Sequence, residues 1–310
     1  MAGFFPRGTM KPPLGASING AHPFGQHLFF AVLFNDATVA TTVIGNPTLL
    51  GGTGVTAGLH PASLAYNINT APAWTSNRDG GALRLTTARS LQVLDSYAGT
   101  SGAWLPAADV TVCLVRRKVD TTLRNAATFG SGDPSDASRG GAFVPWGDGT
   151  VYFDFGGQSG ANRITVAGLS FSTAIPERWI FHAGARGSAM WQNGVKVASQ
   201  ATAITRTPSA SGFSINGGST TGDEQEFNYF AVYNTQWSDQ LCQWWSAEPY
   251  AHLYPDRAQA FDFLAESGTT EIDSVGTAAG VATVAGVGAY SVPHPKSGFG
   301  AQKKARRHNR

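Results

Sequence analysis

Paired carboxylates are the first residues to ask about, because two of them set a few ångströms apart can run acid–base chemistry on a glycosidic bond. The chain has two such pairs, Glu224 with Glu226 and Glu271 with Asp273. At i, i+2 spacing each pair shares one face of a strand. Retaining hydrolysis needs its two carboxyls about 5–5.5 Å apart across the sugar. Neither pair has a matching acid in a recognisable motif. Glu224 and Glu226, beside Asp223, read as the polar entrance to a strand, and Glu271–Asp273 as a solvated turn.

Other reactive side chains are dispersed. The seven histidines are scattered, and His182, alternating with Ile180, reads as a hydrogen-bonded structural histidine on a sheet face. Cys113 and Cys242 are too few and too distant for a metal motif and read as buried thiols rather than a disulfide. The string GTGVTA at 52–57 lacks both the crossover and the helix of a dinucleotide fold. No nucleophile elbow, phosphate loop or His-Glu-x-x-His occurs. The reading is that the chain is not an enzyme and takes no cofactor.

Three tryptophans stand in loop-like contexts: Trp74, Trp104 and Trp146. A loop tryptophan can plug a sandwich edge or a subunit contact, and beside polar groups it can stack on a sugar ring. Trp146 with Asp148 is the candidate glycan-binding pair.

The elements that must position these groups are strands. Charged residues make up 14% and aromatics 11% of the 310 residues, with 38 glycines. Few charges, many glycines and short apolar runs point to an all-β protein with tight turns. Of the 22 basic residues, Lys303, Lys304, Arg306, Arg307 and Arg310 crowd the last eight positions, which leaves the body mildly acidic. Nucleic-acid binding has no general support, and the basic tail reads as solvated. The stretch MAGFFPRGTMKPPLG lacks the apolar core of a signal peptide, and no apolar run nears the roughly 18 residues of a membrane span. The expectation is folding in a cytoplasm, with no membrane contact.

Residues 1–27, rich in Pro and Gly, read as an extended arm. Leu28–Phe34 is the first strand, continuously apolar and so buried on both sides. Shorter candidates lie near Gly54–Leu59 and Ala82–Thr86. From Val110 the pattern predicts strands at Val110–Arg117, Ala126–Phe129, Thr150–Phe155, Arg163–Val166, Arg178–Ala183, Ala189–Gln192, Val195–Ser199, Gly212–Ile215 and Glu226–Tyr233. Asn193-Gly194 marks a type I′ hairpin. Ser238 should cap a short helix whose apolar face is Leu241, Trp244 and Trp245, ended by Pro249. The organisation expected is an arm (1–27), a sandwich (28–237), a capping helix and Pro-terminated turn (238–255), and an extension with a basic tail (256–310).

Several of these segments resemble the concanavalin A-like (laminin G-like) jelly-roll family. Trp179, Ala183, Asn193, Gly194 and Val197 fit its W-x-x-x-A strand and the following x-x-N-G-x-x-V. Phe227, Asn228, Phe230, Val232, Tyr233, Asn234, Trp237 and Ser238 fit a later strand of the form I-D-x-V-x-I-Y-N-x-x-L-S, with Asn228 where Asp is usual. That change weakens a metal-binding role at the position. The resemblance implies an all-β jelly-roll β-sandwich with a short C-terminal helix and extended arms. EIDSV (271–275) resembles the E-x-D-x-x-E strand of family-16 glycoside hydrolases, but the third acid position is Gly276.

A narrower resemblance is to laminin G-like proteins of tailed bacteriophages. It rests on Pro12, Pro13, Gly15, Asn19, His22, Pro23, Leu28, Leu33, Phe34 and Asn35 at the start and on SAEPYAHLYP (246–255) at the end. It implies a virion structural protein, most simply a capsid decoration or cement protein that meets other copies of itself, in one arrangement a trimer, and a major capsid or tail protein. Pro12, Pro13, His22, Pro23 and Tyr290 would then lie on arms that grip neighbours. The alternatives are a tail-associated or head-fibre adhesin that binds a host-surface glycan and, remotely, a glycoside hydrolase.

Overall fold

The computed structural model describes Lys11 and residues 22–34, 48–51, 64–66, 73–87, 91–93, 105–131, 137–207, 213–216 and 222–253. Among them are sixteen strands: β1 (Leu28–Leu33), β2 (Thr48–Gly51), β3 (Leu64–Tyr66), β4 (Ala73–Asn77), β5 (Gly80–Leu85), β6 (Leu91–Val93), β7 (Val110–Lys118), β8 (Phe129–Ser131), β9 (Gly140–Phe143), β10 (Val151–Phe155), β11 (Arg163–Val166), β12 (Glu177–Gly184), β13 (Gly187–Gln192), β14 (Val195–Gln200), β15 (Phe213–Ile215) and β16 (Gln225–Tyr233). Two helices, α1 (Pro23–Gln26) and α2 (Asp239–Ala247), flank them in sequence.

The strands form two antiparallel sheets. One runs β14-β13-β12-β7-β16-β1-β2, with the β4–β5 hairpin joined to β16. The other runs β11-β10-β9-β8-β15-β6-β3. The chain is therefore an all-β protein built as a two-layer antiparallel sandwich, as expected. Alternation decides which residues fill it. Val112 and Leu114 of β7, Trp179 and Phe181 of β12, and Phe230 and Val232 of β16 meet Phe129, Ala142, Val151, Phe153, Phe155 and Ile164 from the other sheet in one buried core. Phe129 stands edge-on to both Phe181 and Phe230, at 5.5 and 5.6 Å between centroids.

The β12–β13–β14 meander follows its sequence signal closely. Asn193 and Gly194 take φ of 51° and 85°, the left-handed pair that a type I′ turn requires. Asn193 also accepts a hydrogen bond from the Arg178 N–H at 2.9 Å, which ties the turn to the start of β12. Asn228 marks the point where β16 changes partner. β5 pairs with Gln225–Phe227, β1 pairs from Tyr229 onward, and the register shifts between them.

Several expectations need correction. Ala126–Thr128 is not strand; β8 begins at Phe129. β9 went unforeseen, because two of its four residues are glycines and leave no alternation to read. The buried face of α2 is Cys242, Trp244, Trp245 and Ser246, and Leu241 is only half-buried, although Ser238 does cap the helix by accepting from the Leu241 N–H. The arm is not extended throughout, since residues 23–26 form a helical turn. Gly54–Leu59 and everything after Leu253, including Tyr290 and the basic tail, lie outside the described residues, as do Pro12 and Pro13.

Candidate binding face and terminal cap

The outward face of the seven-stranded sheet carries the first candidate site. On β10 the inward residues are Val151, Phe153 and Phe155, so Tyr152 and Asp154 point the other way. Register places Phe143 beside Tyr152, and Gly141 and Arg163 on either side of Asp154. Asp154 is fully buried and holds two guanidiniums. Arg163 donates from Nε to Oδ1 at 2.5 Å and from a terminal nitrogen to Oδ2 at 2.7 Å, and Arg139 donates from Nε to Oδ2 at 2.5 Å. The hydrogen bond to Asp154 raises the Arg163 pKa above its usual value. Each guanidinium also covers an aromatic ring, Arg163 over Tyr152 at 4.8 Å and Arg139 over Phe143 at 5.1 Å.

Trp146 and Asp148 sit at the edge of this face, each with its own partners. Trp146 is half-buried, its ring edge-on to Phe143 at 5.0 Å. Asp148 organises its own turn, accepting from the Thr150 N–H at 2.8 Å and the Tyr152 hydroxyl at 2.6 Å. The bond from Tyr152 holds the Asp148 carboxyl below the usual range. Its oxygens are thus engaged within the turn. The sequence did not single out Arg139, Tyr152, Asp154 and Arg163, because the grouping depends on the register of β9, β10 and β11.

The second candidate region is the aromatic cap over the outer face of the larger sheet. His22 was expected on an arm that grips a neighbour; it is instead fully buried within its own chain. Its Nδ1 accepts from the Phe24 N–H at 3.2 Å, and Pro23 opens the turn where its missing N–H costs nothing. The imidazole packs 4.8 Å from Trp244, and Phe24 lies 4.6 Å from Trp244 and 5.0 Å from Trp237. Below them Tyr229 and Tyr233 of β16 point outward from the sheet, their hydroxyls 3.4 Å apart, and the Tyr229 hydroxyl meets His252 Nε2 at 2.9 Å. Trp245 is fully buried beside Tyr229 and Trp237. Tyr233, Trp244 and Trp245 therefore form a structural cap. Trp179, by contrast, belongs to the inter-sheet core, stacked on Phe181 and Phe171, with its indole N–H given to Glu177 at 3.0 Å.

The acidic pair Glu224 and Glu226 opens β16 within a network of cations. Arg117 grips Glu226 through two nitrogens at 2.6 and 2.9 Å, and Arg84 reaches Glu224 at 3.3 Å. Lys118 and Arg124 both hold the buried Asp223. Arg116, without exposure, bonds Glu177 at 3.4 Å and Gln225 at 3.2 Å, and its burial lowers its pKa. Each of these carboxylates is thus held by a cationic partner. Asn228, at the family's Asp position, exchanges amide hydrogen bonds with Asn77 at 3.0 Å. His182 is held as expected, its Nδ1 3.1 Å from the Trp237 carbonyl. Cys113 and Cys242 are both buried free thiols. No group of three or more metal-ligating side chains occurs among the described residues. Glu271, Asp273 and Gly276 lie outside them, as does Trp104, and of Trp74 only its place on β4 is described.

No helix among the described residues is long and apolar enough to cross a membrane. No family model matches the chain, and no curated protein matches it. Among solved structures it is similar to the binding domain of Paraclostridial Mosquitocidal Protein 1, with a TM-score of 0.50 at 12% identity over 72% of this chain and 52% of that one. Domain 4 of an extracellular arabinanase from Geobacillus stearothermophilus, solved with arabinotriose, matches with a TM-score of 0.47 at 12% identity, over 58% of this chain and 86% of that one. The receptor-binding domain of botulinum neurotoxin type G matches with a TM-score of 0.45 at 9% identity, over 71% and 51%. The chain thus spans about half the length of two of these three. At such identities the likeness is one of fold, the two-layer β-sandwich.

Proposed function

We propose that this chain is a non-catalytic structural component of a tailed-bacteriophage particle, displayed on the capsid surface as a decoration or cement protein. One observation carries the reading most. Two short segments behind the phage resemblance, His22-Pro23 and the described part of SAEPYAHLYP (246–253), meet in the fold. His22 lies 6.3 Å from His252 and Phe24 lies 6.1 Å from it, and His22 also packs on Trp244. Motifs far apart in sequence that meet in one folded unit are better explained by shared architecture than by coincidence of composition.

A passive role agrees with how the described carboxylates are used, since those of the β7–β16 network and Asp154 are spent on fixed ion pairs. Contacts with neighbouring copies and with a major capsid or tail protein would then fall to sequences such as Pro12-Pro13 and Tyr290, since His22 is committed internally. Quantitative mass spectrometry of purified particles tests the proposal. A copy number comparable to that of the major capsid protein is expected. A handful of copies would move the chain to the tail or a vertex, and absence from the particle would overturn the proposal.

A further inference from the structure

We propose that the outward face of the seven-stranded sheet at β9–β11 binds an acidic sugar, with the sugar carboxylate received by Arg139 and Arg163 and its ring laid against Tyr152 and Trp146. This inference concerns a site, and it holds whether or not the chain is mounted on a particle.

Two guanidiniums converge here on one buried carboxylate. The fork of Arg163 alone gives both oxygens of Asp154 a hydrogen bond, and one guanidinium balances one carboxylate. Arg139 is a second cation on the same acid, its side chain only 12% exposed and spread over Phe143. A guanidinium carries five N–H donors. Among the described residues Arg139 uses only its Nε–H, and Arg163, 27% exposed, uses two nitrogens. The donors left over are open to solvent, since among the described residues no nitrogen of Arg139 or Arg163 is buried without a partner. A ligand carboxylate would complete both forks.

The neighbours indicate what should carry that carboxylate. Trp146 and Tyr152 are half-buried and flank Phe143 on the same face. Part-exposed aromatic surfaces beside hydrogen-bonding groups suit the C–H faces of a pyranose ring. Asp148, anchored on the Tyr152 hydroxyl, puts a negative charge at the far end of that ring. The sugar carboxylate is thereby directed toward Arg139 and the neutral part of the sugar toward Trp146. Aromatic stacking favours a sugar over an acidic peptide.

Titration of the full chain with sialyllactose and with a galacturonic acid oligomer, followed by saturation-transfer NMR, tests the site, with lactose and a polyglutamate peptide as controls. Binding of an acidic sugar but of neither control is expected. It should weaken about tenfold or more in Arg139→Gln and in Arg163→Lys, which loses the fork but keeps the charge. Equal binding of lactose or of the peptide would overturn the proposal, as would no binding at all or unchanged binding in both variants. Should neither variant fold, protection of Arg139 from phenylglyoxal by the bound sugar, read by peptide mass spectrometry on the unaltered chain, is the expected result, and its absence would overturn the site.

Discussion

His252 and Tyr229 share a hydrogen bond of 2.9 Å in the fully buried layer between the larger sheet and its cap, and His22 stands 6.3 Å away across the same layer. Burial holds His252 far below the normal histidine range, and a charge on His22 would lower it further. His182, nearby on β12, is lowered by burial to about 4. A histidine whose folded pKa is depressed gives stability that is complete above its unfolded pKa near 6.5 and is lost as pH falls below it. For His182 alone that loss reaches about 3 kcal/mol by pH 4. Asp79, whose pKa is raised by burial, works in the opposite sense. The expected outcome is a melting temperature that declines steadily from pH 6.5 to 4.5, with a shallower decline in His252→Gln. A flat profile over that window would contradict the buried, neutral state of these rings.

How much of this could be read in the chain differs by element. The β12–β14 meander was legible because alternation and Asn193-Gly194 are local signals that agree with the tertiary structure. The tryptophan-bearing helix was legible for the same reason, through Ser238 and the i, i+3, i+4 spacing. His22 was misread because nothing in an HP dipeptide says that an indole and a second imidazole will cover it. The β9–β11 face was not legible because Arg139, Asp154 and Arg163 are brought together only by strand register, and the Gly140-Gly141 pair hides the strand that completes it.

Breaking the Arg116–Glu177 pair should be expensive. Both side chains are essentially buried, and Glu177 also accepts from the Trp179 indole and the Ser172 N–H. Glu177→Ala leaves a buried guanidinium without its counter-charge, at a cost of about 3–5 kcal/mol. Denaturant unfolding should show a lower midpoint with an unchanged slope.

The cap should behave as part of the folded core. Trp245 is fully buried against Tyr229 and Trp237, so Trp245→Ala should cost about 3–5 kcal/mol through lost contact and the cavity left behind. Ser238→Ala removes only one cap acceptor and should cost about 1 kcal/mol. If the two variants melted alike, the cap would be contributing little beyond its first turn.

Cys113 and Cys242 offer a test of the packing that needs no mutation. Burial raises both thiol pKa values, that of Cys113 strongly. Cys113 lies on the central strand β7, paired to Ala231 of β16 and Ile180 of β12, and Cys242 faces inward from α2. Thiolate chemistry therefore needs both solvent access and deprotonation, and the fold denies each. A maleimide at neutral pH should leave both cysteines unmodified in the native chain and label both after denaturation. Labelling of Cys242 alone under native conditions would mean that α2 and its tryptophans lift from the sheet while the sandwich stays closed. The cap would then be a separately opening unit, with an opening free energy smaller than that of global unfolding. Because His252 lies under that cap, acidification should raise the labelling of Cys242 relative to that of Cys113, each rate being normalised to the denatured chain at the same pH because the thiolate fraction itself falls with pH.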